Sequence, residues 1–228
     1  MNNGHKLLSD IDLRSIYLKK NNHIKDNLSL VNSSINFKKE LDDETKIELI
    51  EKKFREIMEV LGLDLSDNSL KDTPHRVAKM YVKESFSGLN KENKPVITLF
   101  ENKYGYNQMI VEKDITLFSM CEHHFVPIIG KVHVAYYSSG KVIGLSKLNR
   151  IVHFISKKPQ VQEKLTEEIA QELTEILETE DVAVLVQADH LCVKSRGIND
   201  VNSVTITSSY NGKFIESKTR DEFLSYVK

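Results

Sequence analysis

The sequence of 228 residues has only two cysteines, and a disulfide-rich scaffold is therefore excluded. Such scarcity is typical of proteins in a reducing compartment. No apolar run approaches membrane-spanning length, and the N-terminus lacks the apolar core of a signal peptide. A net charge of -1 gives no general attraction to nucleic acid or membrane surfaces. These absences predict a cytoplasmic protein with no nucleic-acid partner and no membrane partner, in which any anion site is built locally.

The first part of the chain predicts a leader followed by helices. Residues 1–42 are rich in Asn, Lys and Ser and are predicted to be poorly ordered. Apolar residues at helical spacing predict a helix from Asp43 to Leu61, which Gly62 ends. Asp72, as N-cap before Thr73 and Pro74, predicts a second helix that runs to Gly88. We expect an N-terminal helical segment over residues 43–95.

Residues 96–228 predict one α+β domain with the element order β-β-α-α-β-β and a short helix at the end. Ser146 is expected to cap the first of the two central helices. Both cysteines are expected at or near strand ends. The predicted strands are 107–120, 129–138, 181–193 and 201–210, and the predicted helices are 146–155, 160–177 and 218–226.

The run Ser119–Phe125 contains one thiol and two imidazoles in four consecutive positions. Cys121 and His124 have C-x-x-H spacing, and Cys192 would complete a set of three ligands. A catalytic zinc ion typically takes three protein ligands and keeps one position for water. His123 and His190 would then be free for proton transfer near neutral pH. Alternatively, His190 is the fourth ligand of a closed structural site.

Polar and basic residues beyond this cluster indicate an anion site and a base-binding site. Guanidinium and ammonium groups match phosphate oxygens, and a helix start favours anions. A carboxylate in Gln162-Glu163 can accept hydrogen bonds from N1–H and the amino group of guanine. Each signal alone is equally consistent with a solvated surface. The candidate polyphosphate ligands are Arg76, Ser146, Lys147, Arg150 and Arg196.

Four motifs together resemble the GTP cyclohydrolase I family, in the family's order and spacing from about residue 45 to the C-terminus. Residues 73–76 (TPHR) add to the likeness. Two departures are Leu191, where an aromatic residue is common, and His75, where an acidic residue is common. The four motifs are SMCEHHF at 119–125, GLSKLNR at 144–150, PQVQEKLT at 159–166 and HLCVKSRG at 190–197.

The resemblance implies a tunnelling fold, in which a four-stranded antiparallel sheet carries two helices on one face, here preceded by the N-terminal helical segment. It also implies a homodecamer of two stacked pentameric rings with active sites at subunit interfaces. The implied reaction is the zinc-dependent hydrolytic opening of the guanine imidazole ring of GTP. Its products are formate and 7,8-dihydroneopterin triphosphate, in the first step of folate and pterin biosynthesis.

The resemblance assigns a role to each candidate residue. Zn²⁺ would be held by Cys121, His124 and Cys192, and proton transfer would fall to His123 and His190. The substrate-binding residues would be Glu163 with Gln162 for guanine, and Arg76, Ser146, Lys147, Arg150 and Arg196 for the triphosphate.

Two other classes of function stay open at this point. One is a non-catalytic zinc module with an anion site, which predicts a metal with no exchangeable water. The other is a related enzyme that uses a nucleophilic cysteine on a pterin-like or deazaguanine substrate, and its activity would survive chelation.

Overall fold

The computed structural model describes residues 41–228, so the predicted leader lies outside it except for its last two positions. Residues Asp43–Lys228 form one compact unit. None of the helices in residues 41–228 is long and apolar enough to cross a membrane.

Two helices open the described chain, as predicted. Helix α1 spans Asp43–Val60 and is followed by Gly62, whose φ of +78° lies in the left-handed region. Helix α2 spans Thr73–Met80 and continues into a π-helical turn, Tyr81–Ser85. Asp72 is the N-cap but makes no side-chain capping bond. Its carboxylate lies instead 3.5 Å from the Arg76 guanidinium.

A five-stranded sheet forms the centre of the rest of the chain. Its strands run in the order β5-β2-β3-β6-β7, and β2, β3, β6 and β7 pair antiparallel. Only the two-residue strand β5 is parallel to its neighbour β2. Strands β1 and β4 form a separate ribbon. The strands are β1 Leu99–Glu101, β2 Ile110–Cys121, β3 Pro127–Tyr136, β4 Lys141–Ile143, β5 Pro159–Gln160, β6 Val182–His190 and β7 Thr205–Tyr210.

Helices α3, Leu145–Ser156, and α4, Gln162–Leu177, lie between β4 and β6 in the sequence and pack on one face of the sheet. Alternate residues of β2, β3 and β6 meet them in the main core. A short helix α5, Leu191–Lys194, follows β6 directly. The C-terminal helix α6, Ser217–Tyr226, contributes to a second buried cluster with residues of β3 and β6 that face away from that core.

The α+β class and the order of the long elements agree with the prediction. The sheet has five strands instead of the expected four, because the two-residue strand β5 pairs in parallel with the end of β2, and several boundaries also differ. Gly144, not Ser146, is the N-cap of α3, and Ser146 lies in its first turn. Helix α4 begins at Gln162 rather than at Gln160 because Pro159 and Gln160 pair with the end of β2. Strand β6 ends at His190, which leaves Cys192 in α5 instead of on the strand.

Candidate active site

A tight turn after β2 brings the Cys-His run together. Cys121 is the last residue of β2, and its backbone N–H donates to the carbonyl of Val126 at 2.8 Å. The carbonyl of Cys121 accepts from the backbone N–H of Phe125 at 2.9 Å. Phe125 has a φ of +51°, which allows the chain to reverse into β3. His124 therefore folds back beside the thiol of Cys121 rather than continuing away from it.

Cys121, His124 and Cys192 converge, as predicted. Their ligand atoms all lie within 4.8 Å of one another, and Cys121 Sγ is 3.8 Å from His124 Nδ1. A tetrahedral zinc ion, with Zn–S of about 2.3 Å and Zn–N of about 2.0–2.1 Å, holds its ligand atoms about 3.5–3.8 Å apart. The Cys121–His124 pair already has this separation, and small shifts within the 4.8 Å group would let two thiols and one imidazole bind one zinc ion. Within residues 41–228 this is the only group of three or more such residues placed to hold a metal.

The surroundings of the Cys192 thiol disfavour its thiolate form. Burial raises the pKa of the Cys192 thiol, and the adjacent Cys121 thiol raises it further. A divalent cation at this point would offset both effects because it stabilises the thiolate forms. Metal binding here would therefore release the thiol protons.

His123 and Arg196 lie at the exposed side of the cluster. His123 Nδ1 is 4.0 Å from Cys121 Sγ, and the imidazole side chain is 64% exposed. Arg196 places Nη1 3.0 Å from His124 Nε2. Both predicted residues are therefore beside the three candidate ligands within one chain.

His190 is the last residue of β6 and is partly buried. Its Nε2 lies 2.7 Å from Gln162 Oε1. Burial lowers the pKa of His190, while the nearby carboxylates of Glu163 and Asp189 act in the opposite direction. His190 is not a member of the Cys-His-Cys group.

Gln162 and Glu163 share the start of α4 but have different surroundings. Glu163 is exposed, so its carboxylate is accessible beside His190. Gln162 is buried, and its side-chain nitrogen donates to backbone and hydroxyl oxygens of β6 and β7. The residues that hold this amide, Thr205 and Thr207, were not foreseen, because nothing in the sequence of a short strand marks its partner on a distant helix.

The remaining predicted phosphate ligands are not joined to this group. In the described chain, no hydrogen bond or ion pair links Arg76, Ser146, Lys147 or Arg150 to the three candidate ligands. Helix α3 has 12 residues, and a helix of that length extends about 18 Å. Its first turn lies beside β1 and β4, whereas the residues after its end pair with Cys121. Ser146 and Lys147 are therefore at the opposite end of α3 from the Cys-His-Cys group.

Arg150 lines a surface pocket with a volume of about 310 Å³, together with His153 and Lys157. None of the candidate metal ligands lines this pocket. Arg150 and His153 of α3 thus line a depression that is separate from the Cys-His-Cys group.

The chain is similar to proteins of one known family over most of its length. The family model described as GTP cyclohydrolase I matches residues 50–228. The chain belongs to the GTP cyclohydrolase I family. A GTP cyclohydrolase 1 from Flavobacterium johnsoniae is 57% identical over 189 residues, which cover 83% of this chain and 85% of the relative.

Other members of the family are similarly close. A GTP cyclohydrolase 1 from Mannheimia succiniciproducens is 55% identical over 179 residues, covering 78% of this chain and 82% of the relative. One from Actinobacillus pleuropneumoniae serotype 5b is 53% identical over 187 residues, covering 82% and 86%. The residues that match the family model include the Cys-His run, the starts of α3 and α4, and the segment after β6.

Proposed function

We propose that this enzyme opens the imidazole ring of GTP by a zinc-dependent route, with Zn²⁺ held by Cys121, His124 and Cys192. The products are formate and 7,8-dihydroneopterin triphosphate, which feeds folate and pterin biosynthesis. The observation that carries the proposal is the close grouping of these three ligand atoms, with the His123 imidazole 4.0 Å from Cys121 Sγ and His190 two residues before Cys192 in the chain. A catalytic site needs such free imidazoles, whereas a closed structural site does not.

When bound, a zinc ion supplies the Lewis acidity that activates water near neutral pH. The chain's own residues supply binding and proton transfer. The exposed carboxylate of Glu163 accepts hydrogen bonds from N1–H and the amino group of guanine, which orients the base. His190 delivers a proton to N7, which makes C8 more open to attack by water. His123, on the solvent side, relays protons during ring opening and the later rearrangement of the ribose.

The triphosphate is bound by basic residues contributed by a second copy of the chain. Ser146, Lys147 and Arg150 lie on the first turns of α3, where unpaired backbone N–H groups add to the attraction for anions. The length of α3 separates the first turn from the Cys-His-Cys group of the same chain. Arg196 lies beside that group, and Arg76 adds a further guanidinium from the N-terminal helical segment.

A homodecamer of two pentameric rings, built on the tunnelling fold, is the proposed assembly. Two features support association. Strand β7 is an unpaired edge of the sheet, which can add a strand of another copy. Large apolar side chains are exposed on the described surface, including Phe118 on β2, Ile129 on β3 and Ile206 on β7. The two free thiols support a location in the reducing cytoplasm, which is part of this proposal.

The test is formate release from GTP by zinc-loaded protein, with pterin fluorescence followed after mild oxidation. Stoichiometric formate with a fluorescent pterin, both lost on chelation and restored by added zinc, is the expected result. Activity that survives chelation would favour the cysteine-nucleophile enzyme instead. Bound zinc and bound GTP without either product would favour the non-catalytic zinc module.

A further inference from the structure

The side chain of Gln162 has an amide orientation that its surroundings determine. Gln162 is 1% exposed, and its Nε2 lies 3.1 Å from the backbone oxygen of Val186, the backbone oxygen of Thr205 and Oγ1 of Thr207. Backbone carbonyls only accept hydrogen bonds, so the group that faces them must be the NH₂ group. The opposite orientation would set the amide oxygen against two carbonyl oxygens.

This orientation leaves the amide oxygen facing His190. Gln162 Oε1 lies 2.7 Å from His190 Nε2, and an amide oxygen can only accept. His190 Nε2 must therefore carry a hydrogen. In the neutral imidazole the lone pair is then on Nδ1, which is the atom left to take up and release a proton.

We infer that Gln162 is a positioning residue, which holds His190 in its Nε2–H tautomer and directs Nδ1 toward the substrate. The inference rests on the proposed function for the catalytic role of His190, but the tautomer itself does not. It also changes the expected role of Gln162, because the NH₂ group of this buried side chain is directed at β6 and β7 and its oxygen at His190, rather than at guanine. Base recognition then falls to Glu163.

Hydrogen bonds from three elements make this position rigid. Thr166 Oγ1 donates to the backbone oxygen of Gln162 at 2.8 Å, and it lies 2.6 Å from Thr207 Oγ1. Thr207 can therefore donate to Thr166 while it accepts from Gln162 Nε2. Every polar group in this network has a partner, and β6, β7 and α4 each contribute to it. A satisfied buried network of this kind fixes the side chain that it surrounds.

The first measurement is the tautomer of His190 in zinc-loaded protein, by solid-state ¹⁵N NMR with labelled histidine. The His190 signals are identified by their loss in His190→Ala. We expect Nε2 to have the shift of a protonated ring nitrogen and Nδ1 that of an unprotonated one at a pH where the ring is neutral. The reverse assignment would overturn the inference, whatever the enzyme's activity.

The second measurement compares Gln162→Met with wild type. Methionine has a similar length but lacks the amide, and its thioether is only a weak acceptor, so His190 loses its fixed tautomer and orientation. We expect kcat to fall about 100-fold, as for a misplaced catalytic group, with KM for GTP nearly unchanged. The NMR signals of His190 should then show both tautomers. Wild-type kcat together with the wild-type tautomer would overturn the inference.

The matched control is Gln160→Met. Gln160 is also 1% exposed, but its Nε2 donates to the backbone oxygen of Ile155 and to Glu168. Loss of this amide should leave the His190 tautomer and kcat near wild type. If Gln162→Met does not fold, Thr207→Val removes one of the three acceptors of Gln162 Nε2 and should cause a smaller loss of the same kind. If His190 keeps a single tautomer in Thr207→Val, this result would count against the inference.

Discussion

His190 and His123 differ in their surroundings: His190 is partly buried and contacts Gln162, whereas the His123 side chain is 64% exposed. We expect His190→Ala to lower kcat by at least about 100-fold, because a positioned acid or base contributes about 10²–10⁴-fold. Zinc content, measured by metal analysis, should stay at the wild-type level. Cys121→Ser is the control and should lose both zinc and turnover. Loss of zinc from His190→Ala would instead identify His190 as a ligand.

His133, on β3, gives the folded state a dependence on pH. It is 3% exposed, and its Nδ1 accepts from the backbone N–H of Asp114 at 3.2 Å. Burial lowers the pKa of His133, and Lys131 and Lys113 add to that effect against the opposing charge of Asp114. As the pH falls below about 6.5, His133 therefore takes up a proton in the unfolded chain before it does so in the folded chain. The folded state loses stability in this pH range.

The prediction concerns the change in the free energy of unfolding between about pH 7.5 and about pH 5.5. His133→Gln keeps an acceptor for the N–H of Asp114 but cannot take up a proton. We expect its stability to fall less on acidification than that of wild type, as measured by denaturant unfolding. Both proteins have the same metal ligands, so the pH dependence of metal binding cancels. An equal change in the free energy of unfolding for both proteins would contradict the prediction.

At the scale of elements, Gly130 controls how closely β3 approaches β6. A Cβ at this position would lie 2.6 Å from the Cα of Ala188 and would also clash with the backbone oxygen of Gln187. These are backbone atoms, which cannot move aside cheaply. Because Ile128 on β3 pairs with His190 on β6, separation of the strands here would also reach the active site.

We expect Gly130→Ala to lower the free energy of unfolding by at least about 2 kcal/mol, which is the scale of overpacking in a filled core. Gly144→Ala is the control. Gly144 has a φ of -63°, and its Cβ would meet Phe100 at an ordinary 3.5 Å. We expect Gly144→Ala to lower the free energy of unfolding by less than about 1 kcal/mol, which is the effect of a weaker N-cap. Denaturant unfolding of both variants would test this prediction. Equal losses in the free energy of unfolding would contradict the steric argument.

The long elements could be predicted from the sequence, whereas the short ones could not. Alternating or helical apolar patterns marked β2, β3, α3 and α4, because each has one face on a continuous core. Strands β1, β4 and β5 have only two or three residues, too few to show a period. The change from strand to helix after His190 was also missed, since the apolar pattern continues through Val193.

The candidate metal ligands were predictable for a chemical reason, and the Gln162 network was not. Thiols are rare in this chain, so a cysteine with a nearby histidine is a specific signal. A buried glutamine is defined by its partners, and here these are backbone oxygens of Val186 and Thr205 on other elements. Only the folded sheet brings them together.

At the scale of the whole molecule, the proposed site combines residues of two chains. Lys147→Ala and Cys121→Ser should each be inactive alone, because each removes one half of every site. Co-expression should restore activity, since about a quarter of the sites in a randomly mixed ring would combine two intact halves. Activity per chain, measured as formate release, tests this.

Co-expression of Cys121→Ser with Cys192→Ser is the control for subunit mixing. Both residues belong to the same group of one chain, so mixing cannot rebuild an intact site. Two results would show that the site is not divided between chains as proposed. One is recovery of activity in this control, and the other is no recovery when Lys147→Ala and Cys121→Ser are co-expressed.

The position of β3 between β2 and β6 determines when this site can form during folding. Cys121 and His124 meet as soon as one turn closes, but Cys192 arrives only after both β2-β3 and β3-β6 have paired. Pairing between distant segments is slow, and a slip of one residue turns every side chain to the other face. During refolding, zinc would therefore be bound tightly by all three ligands only at a late stage. The rate of this binding would measure how fast the strands of the sheet pair in the correct register.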